Sequence, residues 1–335
     1  MLPKFVFLSN MVAASISGFI MNILLFYLIH KRTPKEMQSY SRIMRVHCLS
    51  DMFYDAIQLT AGVHANPIGG KVYMMLQGFV THVDLNLNRY LFDLYFWSIL
   101  FSIALLPIDF IYRYRSVCHN RDLTNFQVYA MVFIAYFITW FHAFVASFLF
   151  LEIGPSPDSV QFTRELQEFP QWKTDVPSFS VTVLGSTKAL SNFVFILCLN
   201  STSYGIIIYT FRKIQLKLKK NAVVNQQNSR SLDIQKQVSR ILALTAILPL
   251  VVICVPCVLT VVLALAHLDM PHFGAFGSAV YVWLSAAKPT ATILIVPRYR
   301  NYVRSRLFGL QSGQIEASKS MAVSTVEDTS DTHIW

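Results

Sequence analysis

Between Leu91 and Cys118 the chain reads LFDLYFWSILFSIALLPIDFIYRYRSVC, an apolar run closed by an arginine with a tyrosine on each side, Arg113. From Leu91 to Tyr112 its acidic and basic residues are Asp93 and Asp109. At 1.5 Å per residue about 20 residues cross a hydrocarbon layer ~30 Å thick, so a helix over this run spans a bilayer and leaves Arg113 at its edge. An arginine there can anchor a helix simply by snorkelling to the headgroups. What precedes and follows it decides whether it does more.

Lipid as solvent suits the whole chain. It is 54% apolar and 14% charged and carries 26 phenylalanines, whereas a soluble globule is about a quarter charged. The net charge of +10 is scattered between apolar runs, not gathered on one folded basic face, which argues against nucleic acid as a partner. Cysteines at 48, 118, 198, 254 and 257 lie within those runs or on their basic side, so no extracellular disulfide framework is expected. Cys254 and Cys257 flank Pro256 in an apolar run without a second ligand pair, and neither a metal nor a cofactor is expected.

Seven spans follow from the hydropathy pattern: 5–29, 43–63, 90–113, 126–151, 179–211, 241–266 and 273–296. The architecture expected is an all-α, seven-transmembrane helix bundle filling residues 1–310. In the second span His47, Asp51, Tyr54, Asp55 and Gln58 recur at steps of three and four, giving a polar face that must point into a bundle. Loop 64–89 carries Asn-Pro and Gly-Gly turn signals and a short apolar piece, 72–80; loop 152–178 holds five carboxylates. Pro249 and Pro256 bend the sixth span. Residues 298–310 alternate basic and apolar as an interfacial helix does, and 311–335 reads as a disordered tail. Segments after spans one, three, five and seven, counted with Arg45 and Arg113 at the span edges, hold 21 of the 28 Lys and Arg. The positive-inside rule then places the amino terminus outside and the carboxyl terminus inside.

FIYRYRSVC at 110–118, the proline-bearing sixth span and KPTATILIVPRYRNYV at 288–303 resemble the nematode serpentine chemoreceptors of the Str superfamily, which includes the Srd, Str, Srh, Sri and Srj groups. The resemblance implies a G-protein-coupled receptor of rhodopsin-like architecture in a sensory neuron's plasma membrane or cilium, sensing a small environmental molecule in an olfactory role. The chain departs from the general rhodopsin-like pattern in three places. Tyr112 stands where an acidic residue usually precedes the arginine, the usual outer disulfide has no cysteines, and Lys288 stands before Pro289 where Asn or Asp is expected.

Candidate sites follow. Arg113 with Tyr112, Tyr114, Asp109, Arg212 and Lys213 is expected to meet the α subunit of a heterotrimeric G protein when spans five and six part. Asp109, four residues before Arg113 on one helix face, is a candidate replacement for the missing lock. Ligand binding is expected in the outer half of the bundle, with His142 and Lys188 about nine residues, or ~13 Å, below the surface, Trp97, Tyr281 and Trp283 near that depth, and Asp93 at the rim. Asp51 and Lys288 are each eight residues in from the basic side, ~12 Å deep, and are expected to pair, the ammonium filling a place where rhodopsin-like receptors hold sodium; Asp55 competes as partner. Two rivals share these residues. A transporter or channel also buries ionisable groups, though the halves show no two-fold similarity; a light sensor needs its lysine about two turns further from Pro289. The chain contains no nucleophile elbow, paired catalytic carboxylates or HExxH, so no enzyme is expected.

Overall fold

In lipid every backbone polar group must be satisfied within its own segment, so the apolar runs become helices. The computed structural model describes residues 4–33, 40–149, 152–224 and 229–308. Among them seven helical spans bundle together: α1 (Lys4–Arg32), α2 (Ser41–Ala61), α3 (Leu85–His119), α4 (Asn125–Leu149), α6 (Thr187–Val224), a sixth made of α7 (Ser229–Pro249) and α8 (Val255–Leu265), and a seventh made of α9 (Phe273–Tyr281) and α10 (Leu284–Ile295). Helix α5 (Val160–Gln167) lies in a loop, and α11 (Pro297–Phe308) turns 96° away from the seventh span. Judged by length and apolarity alone α2 would not qualify. It crosses because α1, α3 and α10 enclose its polar face.

One end of the bundle is roofed by a four-stranded antiparallel sheet in the order β1 (Val63–Ile68), β2 (Lys71–Leu76), β4 (Phe179–Val183), β3 (Glu152–Gly154). Gly69 and Gly70, both at positive φ (55° and 72°), make the tight β1–β2 turn, whose left-handed pair suits the strands' twist. Gly62 ends α2 at φ +53°, and a Cβ there would come within 2.6 Å of the Gly78 nitrogen. The two glycines thus let the chain fold back against the helix end.

Several boundaries differ from the sequence reading. The apolar piece at 72–80 lies largely in β2, and loop 152–178 contains β3 and α5. Helix α3 begins at Leu85, where the Asp84 carboxylate accepts from Leu87 N at 3.3 Å, and runs to His119. Arg113 is therefore nearly two turns inside the helix, not at its end. The fifth span does not begin at Phe179. Residues 179–183 pair with β2, from Val183 opposite Lys71 to Phe179 opposite Met75, and helix α6 starts only at Thr187, with Ser186 Oγ accepting from Ala189 N at 3.1 Å. At its other end α6 carries on to Val224, because its Lys, Leu and Gln residues favour helix. The expected basic loop 212–240 is thus largely helical; the tail 311–335 lies outside the described residues. Pro249 is followed by a turn of π-helix, Leu250–Cys254, with Tyr204 of α6 donating to Ala246 O at 3.1 Å. Such bulges bend a helix while neighbours pair its freed carbonyls.

Helix α3 is the hub, packed by α2, α4 and α6. Leu105, Leu106, Phe110 and Tyr112 join Leu28, Ile43 and Tyr299 in one apolar cluster towards the basic end. A second cluster under the sheet gathers Ile57, Val63, Leu91, Phe92 and Ala264.

Candidate functional site

The polar face of α2 meets α3 and α10 in the half of the bundle away from the sheet. There Lys288 Nζ donates to Asp51 Oδ1 at 2.8 Å with both residues buried. Isolated, either charge would be costly at that depth; together, with good geometry, they are tolerated. Pro289 lacks an N–H, which frees the carbonyl of Ser285 one turn earlier. Asn22 of α1 supplies the donor, Nδ2 to Ser285 O at 3.0 Å. One turn towards the sheet, Ser285 Oγ donates to Asp55 Oδ1 at 2.6 Å. Gly18 of α1 presses on this carboxyl so closely that a Cβ would lie 2.3 Å from Asp55 Oδ2. Asp55 is thus sealed, and the lysine lies on Asp51.

Towards the basic end His47 Nε2 approaches Asp109 Oδ2 at 2.8 Å, tying α2 to α3. The Tyr40 hydroxyl reaches the same carboxylate, and the Tyr40 ring lies against that of Tyr112 with centroids 5.8 Å apart. Here the expectation for Asp109 is corrected. Its carboxylate is engaged across the helix interface by His47 and Tyr40, while the ionisable groups around the buried Arg113 guanidinium are Tyr40, Tyr112 and Asp122. Spacing of four residues allows an Asp–Arg contact, but a neighbouring helix at the right depth offers a competing donor. A cavity of about 50 Å³, room for about three waters, separates the two pairs and is lined by Asn22, Tyr40, His47, Asp51, Asp109 and Lys288 with Thr245 of α7.

The remaining coupling residues divide. Tyr112 is buried and Tyr114 half-buried, with its ring 5.0 Å from that of His119. Arg212 and Lys213 are exposed on α6, and Lys213 Nζ stands 5.7 Å from the Tyr209 ring centre.

The six expected ligand residues do not form one pocket. Asp93 faces Ser147 and Arg89 between α3 and α4. Trp97 stacks on Phe101 at 5.3 Å and meets Tyr136 and Phe53 edge-on. His142 of α4 lies flat on Phe195 of α6 at 3.8 Å. Lys188 is exposed in the first turn of α6 because that helix starts eight residues later than expected (Thr187 against Phe179). Trp283 falls at the break between α9 and α10, is 41% exposed and donates Nε1 to Asn10 of α1 at 3.1 Å. Tyr281 alone points inward, receiving a hydrogen bond from the Tyr95 hydroxyl and donating its own to Val63 O at 2.9 Å. Sequence reasoning singled out the polar stripe of α2 but gave no role to His47, Tyr54 or Gln58, and it missed Tyr40 and Tyr95. The step of three and four along that stripe was the available signal.

Comparison with known proteins adds the decisive observation. Residues 9–304 match the profile of the family described as serpentine type 7TM GPCR chemoreceptor Str. The chain belongs to that family. It is accordingly a multi-pass membrane receptor of the G-protein-coupled class and not an enzyme. Among curated proteins it is similar to serpentine receptor class delta-1 of Caenorhabditis elegans, 27% identical over 176 residues, which is 52% of this chain. That match spans 46%, about half, of the relative's length. Among solved structures squid rhodopsin superposes with a TM-score of 0.68 at 13% identity, covering 100% of this chain and 94% of the other. At that identity the likeness concerns the fold, which this Str receptor shares.

Proposed function

We propose that this Str-family chain is an olfactory-type chemosensory receptor of a sensory neuron's plasma membrane or cilium, its sheet end outside and its basic end in the cytoplasm. A small environmental molecule binds in the outer half of the bundle, and the inner end activates a heterotrimeric G protein through Arg113, Tyr112, Tyr114, Arg212 and Lys213. The observation that carries this reading is the charged layer just described. Asp51–Lys288 and His47–Asp109 link α2, α3 and α10 around a small polar cavity that α7 also lines, with Arg113 buried near Tyr40 of its wall. A movement of the sixth span therefore alters the surroundings of both pairs and of Arg113 together, which is what a two-state receptor requires. The charge distribution supports the orientation.

Nucleotide exchange on a reconstituted Gα subunit tests the proposal. Arg113→Ala should reach the cell surface and lose most ligand-dependent exchange. Full-strength signalling by that variant would remove Arg113 from coupling, and substrate flux across liposomes without any exchange would favour a transporter.

A further inference from the structure

We propose that the junction of α1 and α11 at the basic end binds a membrane lipid whose headgroup carries a phosphomonoester, held by Arg32, Arg306, Tyr27 and Tyr302. No residue of the coupling surface or of the expected ligand site takes part.

Helix α11 turns 96° from the seventh span and so reaches the end of α1. Its sequence, PRYRNYVRSRLF, holds four arginines and no carboxylate. Tyr299 makes the attachment: its side chain is fully buried and its hydroxyl lies 2.8 Å from Thr33 Oγ1. The next turn is built differently. The Tyr302 hydroxyl lies 3.2 Å from that of Tyr27, and two guanidinium groups close on the Tyr302 ring, Arg32 at 4.5 Å from its centre and Arg306 at 5.8 Å. Both also neighbour the Tyr302 oxygen. The two arginines are exposed, and among the described residues neither is ion-paired. Like charges brought to one ring repel each other, and a single arginine suffices to stack on it. An anion between them turns that repulsion into attraction.

Charge and donors set the class. Two guanidinium groups offer two positive charges and planar forks that match phosphate oxygens. A phosphomonoester carries a charge of about −1.5 to −2 at neutral pH, whereas the phosphodiester that links any phospholipid headgroup carries a single one. Of the two tyrosine hydroxyls one donates to the other, which leaves one proton to give to a phosphate oxygen. Helix α1 makes the anion a lipid. Ile16, Ile20, Ile23 and Tyr27 recur at steps of four, three and four and are all exposed, so they form one apolar stripe that ends at the hydroxyl partner of Tyr302. An acyl chain lying along the isoleucines brings its headgroup to the arginines. A soluble phosphate makes no use of that stripe.

The test uses the purified full-length receptor in neutral detergent and reads lipid retention by native mass spectrometry, which needs no G protein. The probes are phosphatidylinositol monophosphate, phosphatidylserine and phosphatidylcholine, with the soluble inositol bisphosphate headgroup as a fourth. The phosphomonoester lipid should be retained about tenfold more strongly than the other two lipids. Arg32→Gln and Arg306→Gln should each weaken its retention about tenfold, as loss of a hydrogen bond to a charged group does, and Tyr302→Phe, which keeps the ring beneath both arginines, about fivefold. Arg304→Gln removes the same charge from the other side of the same helix and should change nothing. Equal retention of phosphatidylserine, an equal loss in Arg304→Gln, or Arg32, Arg306 and Tyr302 variants that bind as the wild type does would each overturn the proposal, the first two by reducing it to attraction between a basic surface and any anionic lipid. Inositol bisphosphate bound as tightly as the lipid would assign the site to a soluble phosphate and overturn it as well. Tyr302→Phe is nearly isosteric, so it decides the matter even if an arginine variant misfolds.

Discussion

An ammonium as deep as that of Lys288, 7% exposed, is tolerated because the Asp51 carboxylate stands 2.8 Å away. Removing either partner strands the other, at about 3–5 kcal/mol. Asp51→Asn and Lys288→Met should therefore each lower surface expression sharply, and the double variant should recover much of the loss. A double variant as poor as the sum of the singles would show the two residues to be independent. The pair was legible in the sequence because depth can be counted from the basic edge along two helices, and equal counts bring groups to one layer. Azimuth was not legible in that way. His142, Trp97 and Asp93 each lie on the α4-facing or α6-facing side of the bundle, and a count of residues below the surface says nothing about which neighbour a side chain faces. Asp109 failed for a related reason: the sequence offers Arg113 at i+4, but not His47, which reaches it from another helix.

At the scale of elements, six of the spans were visible as apolar runs and α2 as a polar stripe of helical period. The sheet was only half visible. Gly69-Gly70 marks a tight turn, but Phe179-Ser180-Val181-Thr182-Val183 is apolar enough to be counted into a span, and hydropathy does not distinguish a buried strand from the first turns of a helix. The missing information was β2, a hundred residues away, whose edge takes up that segment. The strand β1 carries its own testable chemistry. His64, 1% exposed and edge-on to Phe7 at 4.1 Å, has its imidazole pushed by burial down to about 3. In the unfolded chain it titrates near 6.5, so below that pH the unfolded state binds a proton that the folded one refuses, and stability falls as pH falls from about 6.5 towards 3. The melting temperature of the purified receptor should thus decline on acidification, and His64→Phe should flatten the decline. An unchanged slope would assign the decline to groups other than His64.

For the molecule as a whole, the buried Asp51–Lys288 pair and the half-buried His47–Asp109 pair join α2 to α10 and to α3, and among the described residues α7 meets them at the cavity wall through Ile241 and Thr245. The seventh and second spans are therefore electrostatically tied, whereas the sixth is free to shift against them. His47→Gln would weaken the hold of α2 on Asp109 while keeping a hydrogen-bonding side chain. Basal nucleotide exchange should rise roughly fivefold, as a bias of about 1 kcal/mol gives. Basal exchange at or below the wild-type level would show that the pair does not favour the inactive arrangement. The order of the strands has a consequence for how the receptor is made. Strand β2 ends at Leu76 and its partner β4 begins at Phe179, roughly 100 residues later, which a ribosome needs about 5–20 s to add. Throughout that interval one edge of β2 waits unpaired outside the lipid, open to any other extended chain. Slowing translation between α3 and α6 should lengthen the wait and lower the yield of mature receptor, with no change in the stability of the molecules that do mature.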